Sequence, residues 1–247
     1  MRHVFETMGT VVSLDVADSE PSLMLRIEAV FAEADARFSL WRDDSELSRI
    51  NAGAVALLDA QPEVLNAYAL SVDWRGRTGG AFTPTRPDGF LDLNGVVKAI
   101  AMRDAGAVLD DAGCRDWSLV VGGDLLASGF GPGGTPWVTG IIDPHDRTAL
   151  LCAIELLDTR RALATSGCAE RGDHIWKSGL ASSFVQVTVV ADDIVTADVL
   201  ATAIVAGGEP TMREACERWS VDILTVDALG EMTATPGFRA ALAVPAP

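Results

Sequence analysis

Apolar and polar positions along the chain alternate, cluster and lapse in ways that mark out most of its elements. Val11, Val12, Leu14 and Val16 come in near alternation behind the turn residues Met8-Gly9-Thr10, which predicts an opening strand within residues 4–17. Pro21 suits the first position of a helix, and Leu25, Val30, Phe31, Ala34 and Phe38 recur at helical spacing as its inward face. The stretch from Phe38 to Asn51 reads as a loop feeding a short helix, with Ser45 as its N-cap. A further helix runs from Pro62 to about Arg77, with Val64, Leu65, Tyr68, Ala69 and Val72 inward, and stops at Gly79-Gly80.

Residues 81–91 carry Pro84, Pro87 and Gly89 and read as a loop. Leu91-Asp92-Leu93-Asn94-Gly95 then leads into a helix from about Val96 to Asp111, closed by Gly113. Trp117 to Leu126 is a strand broken by Gly122-Gly123, and strand-like runs follow at 136–142, 151–157, 161–165 and 184–191. Their hairpin-length gaps favour antiparallel pairing. A helix from Ala197 to Ala206 ends at Gly207-Gly208, another covers 210–219, and a last strand lies near 221–226. The tail after Pro236 reads as a weak edge or a mobile end. Helices interleaved with antiparallel strands give an α+β class, and the whole of residues 1–247 is expected to form one domain.

Composition narrows this picture without naming a function. The chain has 247 residues, long enough to bury roughly three quarters of its unfolded surface with no covalent staple. Its net charge is −16, which repels phosphate backbones, so nucleic-acid binding is not expected. If its substrate is an anion, a metal or a local cation must offset that field. Cys114, Cys152, Cys168 and Cys216 form no C-x-x-C pair and read as idle thiols of a reducing compartment. The first residues hold no apolar signal core, and no window offers the roughly eighteen apolar residues of a membrane span. The expectation is a cytoplasmic protein without a transmembrane segment.

Three segments could carry chemistry. In Thr196-Ala197-Asp198-Val199-Leu200-Ala201-Thr202, Thr196 is a plausible N-cap, and Asp198 and Thr202 lie four apart on one helix face. A carboxylate and a hydroxyl are hard oxygen donors of the kind magnesium takes, although an Asp serving the helix dipole and a Thr facing solvent would give the same pattern. In Leu91-Asp92-Leu93-Asn94-Gly95-Val96-Val97-Lys98, Gly95 permits close approach of a ligand, and a lysine in the first helical turn hints at an anion nearby. The polar run Ala164 to Ile175 contains His174, which could move a proton or simply sit on a surface loop. The Gly129–Gly134 run lacks a following helix and reads as a hairpin turn. Asp43-Asp44, Asp110-Asp111 and Asp192-Asp193 read as solvated surface, and Ser166 with His174 lacks the elbow of a hydrolase.

Taken together these segments resemble the FAD:protein FMN transferase family, the ApbE-type flavin transferases. The resemblance rests on Met8-Gly9-Thr10; Phe38-Ser39-Leu40-Trp41 with Ser45 to Asn51; Leu91-Asp92-Leu93 with Gly95 and Lys98; Gly122-Gly123-Asp124; Ala164 to Gly167 with Glu170-Arg171 and His174-Ile175; and Ala197-Asp198 with Leu200 to Ala203. It implies an α+β fold of helices around mixed, mainly antiparallel sheet (T-fold-like) with FAD in a central cleft. It also implies Mg2+ at the FAD pyrophosphate, held by Asp198, Thr202 and the Gly95 carbonyl. Met8, Trp41, Ala81, Phe82, Thr83, Asp92, Lys98 and Ile175 would line the dinucleotide site, and His174 would serve the chemistry. The implied reaction moves FMN from FAD onto a Ser or Thr hydroxyl of an acceptor protein and releases AMP. An Mg2+-dependent FAD pyrophosphatase, or an FAD-binding protein without turnover, would share these residues. The chain departs from the family pattern at Thr83, at Trp176-Lys177-Ser178-Gly179, and at Asn94-Gly95-Val96 with Ala99.

Overall fold

The computed structural model describes residues 2–17, 20–156, 159–167 and 184–243. Its centre is an eight-stranded sheet in the order β1-β2-β3-β4-β7-β8-β9-β10. The strands are β1 (Arg2–Thr7), β2 (Thr10–Val16), β3 (Trp117–Val121), β4 (Asp124–Ser128), β7 (Ala162–Gly167), β8 (Phe184–Ala191), β9 (Asp222–Asp227) and β10 (Met232–Ala234). Between β4 and β7 the chain makes a separate ribbon of β5 (Trp137–Ile142) and β6 (Leu150–Leu156). Every ladder among the described residues is antiparallel. The helices are α1 (Pro21–Phe38), α2 (Glu46–Asn51), α3 (Pro62–Arg77), α4 (Asn94–Asp111), α5 (Ile194–Arg218) and α6 (Pro236–Ala240). The α+β reading and its antiparallel pairing therefore hold.

Two hydrophobic layers follow from strand alternation. Val12, Leu14, Leu119, Leu126, Ala164, Val187 and Val189 point to the face on which α5 packs against β7 and β8, α4 against α5, and α1 against α4. Leu125, Leu163, Val190 and Leu224 point the other way and meet Ile141, Ile154 and Leu156 of the ribbon and Phe238 of α6. No helix among the described residues is long and apolar enough to cross a membrane.

Several sequence expectations change in the structure. A strand lies on each side of Met8-Gly9, which form a two-residue turn between Thr7 and Thr10 with φ of 50° and 67°. That positive-φ pair matches the twist of a hairpin. The buried side of α1 is Leu23, Met24, Ile27, Phe31 and Phe38, while Leu25 is exposed. On α3 it is Val64, Ala67, Ser71 and Trp74, with Val72 and Ala69 exposed. Both helices carry apolar residues around most of their girth, so several faces satisfy the helical period and only packing against α4 chooses among them. The Gly129–Gly134 run is a connection from the sheet to the ribbon, not a hairpin turn, because β4 pairs with β3 and β7 while β5 pairs with β6. Within the tail, Pro236–Ala240 is helix α6, capped by Thr235, whose hydroxyl accepts from the Phe238 N–H, with Phe238 buried; residues 244–247 lie outside the described residues.

Helix α5 starts three residues earlier than the periodicity suggests. Its N-cap is Asp193, whose carboxylate accepts from the Thr196 N–H at 2.9 Å, so Thr196 is the third helical residue and not the cap. The helix is broken at Gly208 (φ 68°, ψ −154°), two residues before Pro210, as the sequence signals of Gly207-Gly208 imply. That backbone region is open essentially to glycine alone.

Candidate functional site

Three elements converge on the helical face of the sheet. Asn94 begins α4, so Lys98 falls in its second turn, not its first, and shares a face with Gly95. Asp124 opens β4 directly after the Gly122-Gly123 turn. Asp198 sits in the second turn of α5, with Thr202 one turn further along. The Lys98 Nζ lies 2.5 Å from Asp124 Oδ2 and 3.9 Å from Asp198 Oδ1. Asp124 is wholly buried and Asp198 is 4% exposed, so neither carboxylate is a solvated surface group. The second oxygen of Asp124 accepts from the Thr165 N–H at 3.0 Å, which ties β4 to β7 at the point where β7 presents Ser166 to α5. Ser166 Oγ and Thr202 Oγ1 are 3.0 Å apart. Thr202 is half-buried and engaged with Ser166 rather than simply exposed, and Asp198 is buried beside Lys98.

Above Lys98 opens a cleft of ≈ 540 Å3 whose lining includes Met8, Thr10, Phe38, Trp41, Asn94 and Lys98. Its rim comes from local chemistry. The Ser45 hydroxyl caps α2 by accepting from the Ser48 N–H at 3.0 Å, and it donates to the Ser39 carbonyl at 2.6 Å. Ser48 Oγ donates to the same carbonyl at 3.1 Å. This knot holds the turn that carries Trp41, whose side chain remains 78% exposed. Met8 of the same lining is held in the left-handed region, a conformation that costs a residue with a Cβ about 1–2 kcal/mol. It is the sole non-glycine with positive φ among the described residues, and such strain clusters at working sites. Arg42, also in the lining, hydrogen-bonds Asp44 and holds that carboxyl below the usual carboxylate range.

The other predicted residues have different surroundings. Phe82 is 3% exposed, and its ring fills the space beside Gly95: a Cβ added to Gly95 would stand 2.7 Å from Phe82 Cε2. The room that glycine leaves on its side-chain side is taken by Phe82. Ala81 lies against Gly207 of α5, whose added Cβ would come 3.0 Å from Ala81 Cβ. Thr83 is half-buried in the same loop, its hydroxyl accepting from the Thr85 N–H at 3.3 Å. Asp92 is half-buried and accepts from the Asn94 N–H at 3.0 Å, which fixes the entry into α4. Asn51 adds a pair of hydrogen bonds to the Leu91 backbone, of 2.9 and 2.8 Å. Met8, Trp41 and Lys98 thus share one cleft, with Asp198 and Thr202 behind Lys98. Ala81, Phe82, Thr83 and Asp92 form the loop that buttresses the start of α4. His174 and Ile175 lie outside the described residues.

Sequence reasoning quoted Asp124 within a motif and weighed Ser166 only against a hydrolase elbow, and gave neither a place beside Lys98, Asp198 and Thr202. A signal for Asp124 was present, since the acid stands between Val120-Val121 and Leu125-Leu126-Ala127, in a strand with too little polar surface to keep it in water.

With this geometry established, comparison with known proteins gives the family. The family model described as "ApbE family" matches residues 8–88 and 85–225. The chain belongs to the ApbE family. A curated relative from Vibrio cholerae serotype O1, FAD:protein FMN transferase, is 24% identical across 89% of this chain and 85% of its own. Among solved structures, flavin transferase ApbE from Vibrio cholerae superposes with a TM-score of 0.82 at 23% identity, covering 98% of this chain and 99% of that one. The ApbE protein of Thermotoga maritima superposes at 0.81 with 20% identity, covering 99% of each chain. At these identities the structural likeness concerns the ApbE fold itself.

Proposed function

We propose that this chain is a flavin transferase that moves FMN from FAD to a Ser or Thr hydroxyl of an acceptor protein, releasing AMP, with residues 1–247 acting as one catalytic domain. The observation that carries this reading is the union of an aromatic-rimmed cleft with a half-buried cation and oxygen donors at its back. In a chain of net charge −16, such a device is what an anionic dinucleotide needs. The exposed Trp41 offers a flat face for one of its rings. Lys98 offers the ammonium that its phosphates would meet.

Magnesium fits the donor set. Asp198 supplies a carboxylate, Thr202 and Ser166 supply hydroxyls, and the Gly95 carbonyl lies in the first turn of α4, on the face it shares with Lys98. These are hard oxygen ligands with no thiol or imidazole among them. When bound there, the ion would withdraw charge from the pyrophosphate and make AMP a better leaving group. Asp198, Thr202 and the Gly95 carbonyl would hold it. The chain's own residues do the rest. Trp41 and Met8 orient the dinucleotide, and Lys98 neutralises one phosphate as the acceptor oxygen bonds to the phosphorus on the FMN side. The bond from that phosphorus to the bridging oxygen breaks, and AMP leaves with the electron pair. His174 takes the hydroxyl proton.

The test is AMP release from FAD by the purified protein, with Mg2+ or EDTA, with and without a candidate acceptor. The expected result is AMP only when both Mg2+ and acceptor are present, with flavin retained on the denatured acceptor. AMP formed at equal rate without acceptor would make the protein a pyrophosphatase. FAD bound tightly without turnover under every condition would make it a carrier.

A further inference from the structure

The position of Lys98 raises a question about the cation site that the proposed reaction leaves open. An ammonium sits 3.9 Å from Asp198, close enough to compete for the carboxylate that would hold magnesium. The ammonium stands nearer Asp124, at 2.5 Å. Asp124 is anchored in turn, its second oxygen bound by the Thr165 N–H and its side chain wholly buried. Lysine itself is unusual here. Of the 19 basic residues, 17 are arginine, and the two lysines are Lys98 and Lys177. An arginine fork would bridge two carboxylates at once, whereas a compact ammonium on a flexible stem can be drawn wholly to one of them.

We propose that Asp124 is a positioning residue whose work is to keep Lys98 off Asp198, and that this restraint sets the affinity of the site for a divalent cation. The inference rests on the reading of Asp198 as a metal ligand. In a buried cluster the Coulomb terms are weakly screened, so a shift of the ammonium by one or two ångströms changes the field at Asp198 substantially. Remove the charge of Asp124 and the ammonium moves onto Asp198, where it occupies the site that the metal needs.

Magnesium alone, titrated calorimetrically into the metal-free full chain, reads this directly and needs no turnover. Asp124→Asn keeps an oxygen for the Thr165 N–H and should weaken Mg2+ binding by about tenfold or more. Lys98→Met should tighten it by about threefold or more, since it removes a positive charge beside the ligand. In the Lys98→Met background, adding Asp124→Asn should change Mg2+ affinity by much less than it does in the presence of Lys98. An equal loss in both backgrounds would mean that Asp124 acts through its own charge and would overturn the inference, as would weaker binding by Lys98→Met alone. That last variant keeps the test decisive if Asp124→Asn does not fold. Absence of Mg2+ binding by the unmodified chain would strike the metal reading itself; wild-type binding with Asp124→Asn unaffected would strike only the restraint.

Discussion

On the helical face of the sheet the interior holds an ammonium between two carboxylates, Lys98 with Asp124 and Asp198. On the face covered by the β5–β6 ribbon and α6, the buried polar side chains Thr188 and Gln186 are neutral. They meet Thr165 Oγ1 at 2.9 Å and the Ile142 carbonyl at 3.0 Å. Both faces bury apolar side chains of the same kinds, so the hydrophobic effect does not distinguish them. What differs is that one face carries charge out of water, which is costly unless the charge is paired and useful. The ribbon side is built for cohesion, and the helical side gives up some cohesion to hold a charged site.

Substitutions should separate the two faces. The largest effect is expected from Asp198→Ala, which should lower Mg2+-dependent AMP release by about 1,000-fold or more, the scale on which such charge-stabilising groups act. Because Asp198 is buried and close to Lys98, the variant should also lose stability, by about 1–3 kcal/mol, visible as a lower Tm. Next, Ile154→Ala removes a wholly buried side chain from the ribbon core and should cost about 2–5 kcal/mol. Turnover per folded molecule should stay unchanged, and a matching loss of kcat would break the division between the faces. Trp41→Ala should leave Tm unmoved, since the ring is 78% exposed, yet raise the KM for FAD by about 5- to 100-fold through lost stacking. The smallest effect belongs to Thr235→Ala, which deletes the cap of α6 and should cost about 1 kcal/mol with no change in KM.

The sequence carried the elements more faithfully than their faces. Proline starts α1 and α3, and Gly79-Gly80 follow the end of α3, because those residues act locally, through a fixed φ or a missing Cβ. Leu25 and Val72 misled because a helix with apolar residues all round has no unique inward stripe until a neighbour chooses one. The site was legible as separate motifs, each with its residue types in view. Their union was not, because Lys98, Asp124 and Asp198 meet only once α4 and α5 lie side by side over β4 and β7. Asp198 seemed a helix-start residue for a related reason. The true cap, Asp193, lies in a pair of acids that look like ordinary surface.

The break at Gly208 divides α5 into two rods that need not share a register. A residue inserted before the break, between Asp198 and Thr202, would turn one of them about 100° away from the other and scatter the oxygen donors. A residue inserted beyond it, in the largely exposed stretch after Pro210, would rotate only the outer rod. Length variation in this helix is therefore tolerable on one side of a single glycine and ruinous on the other.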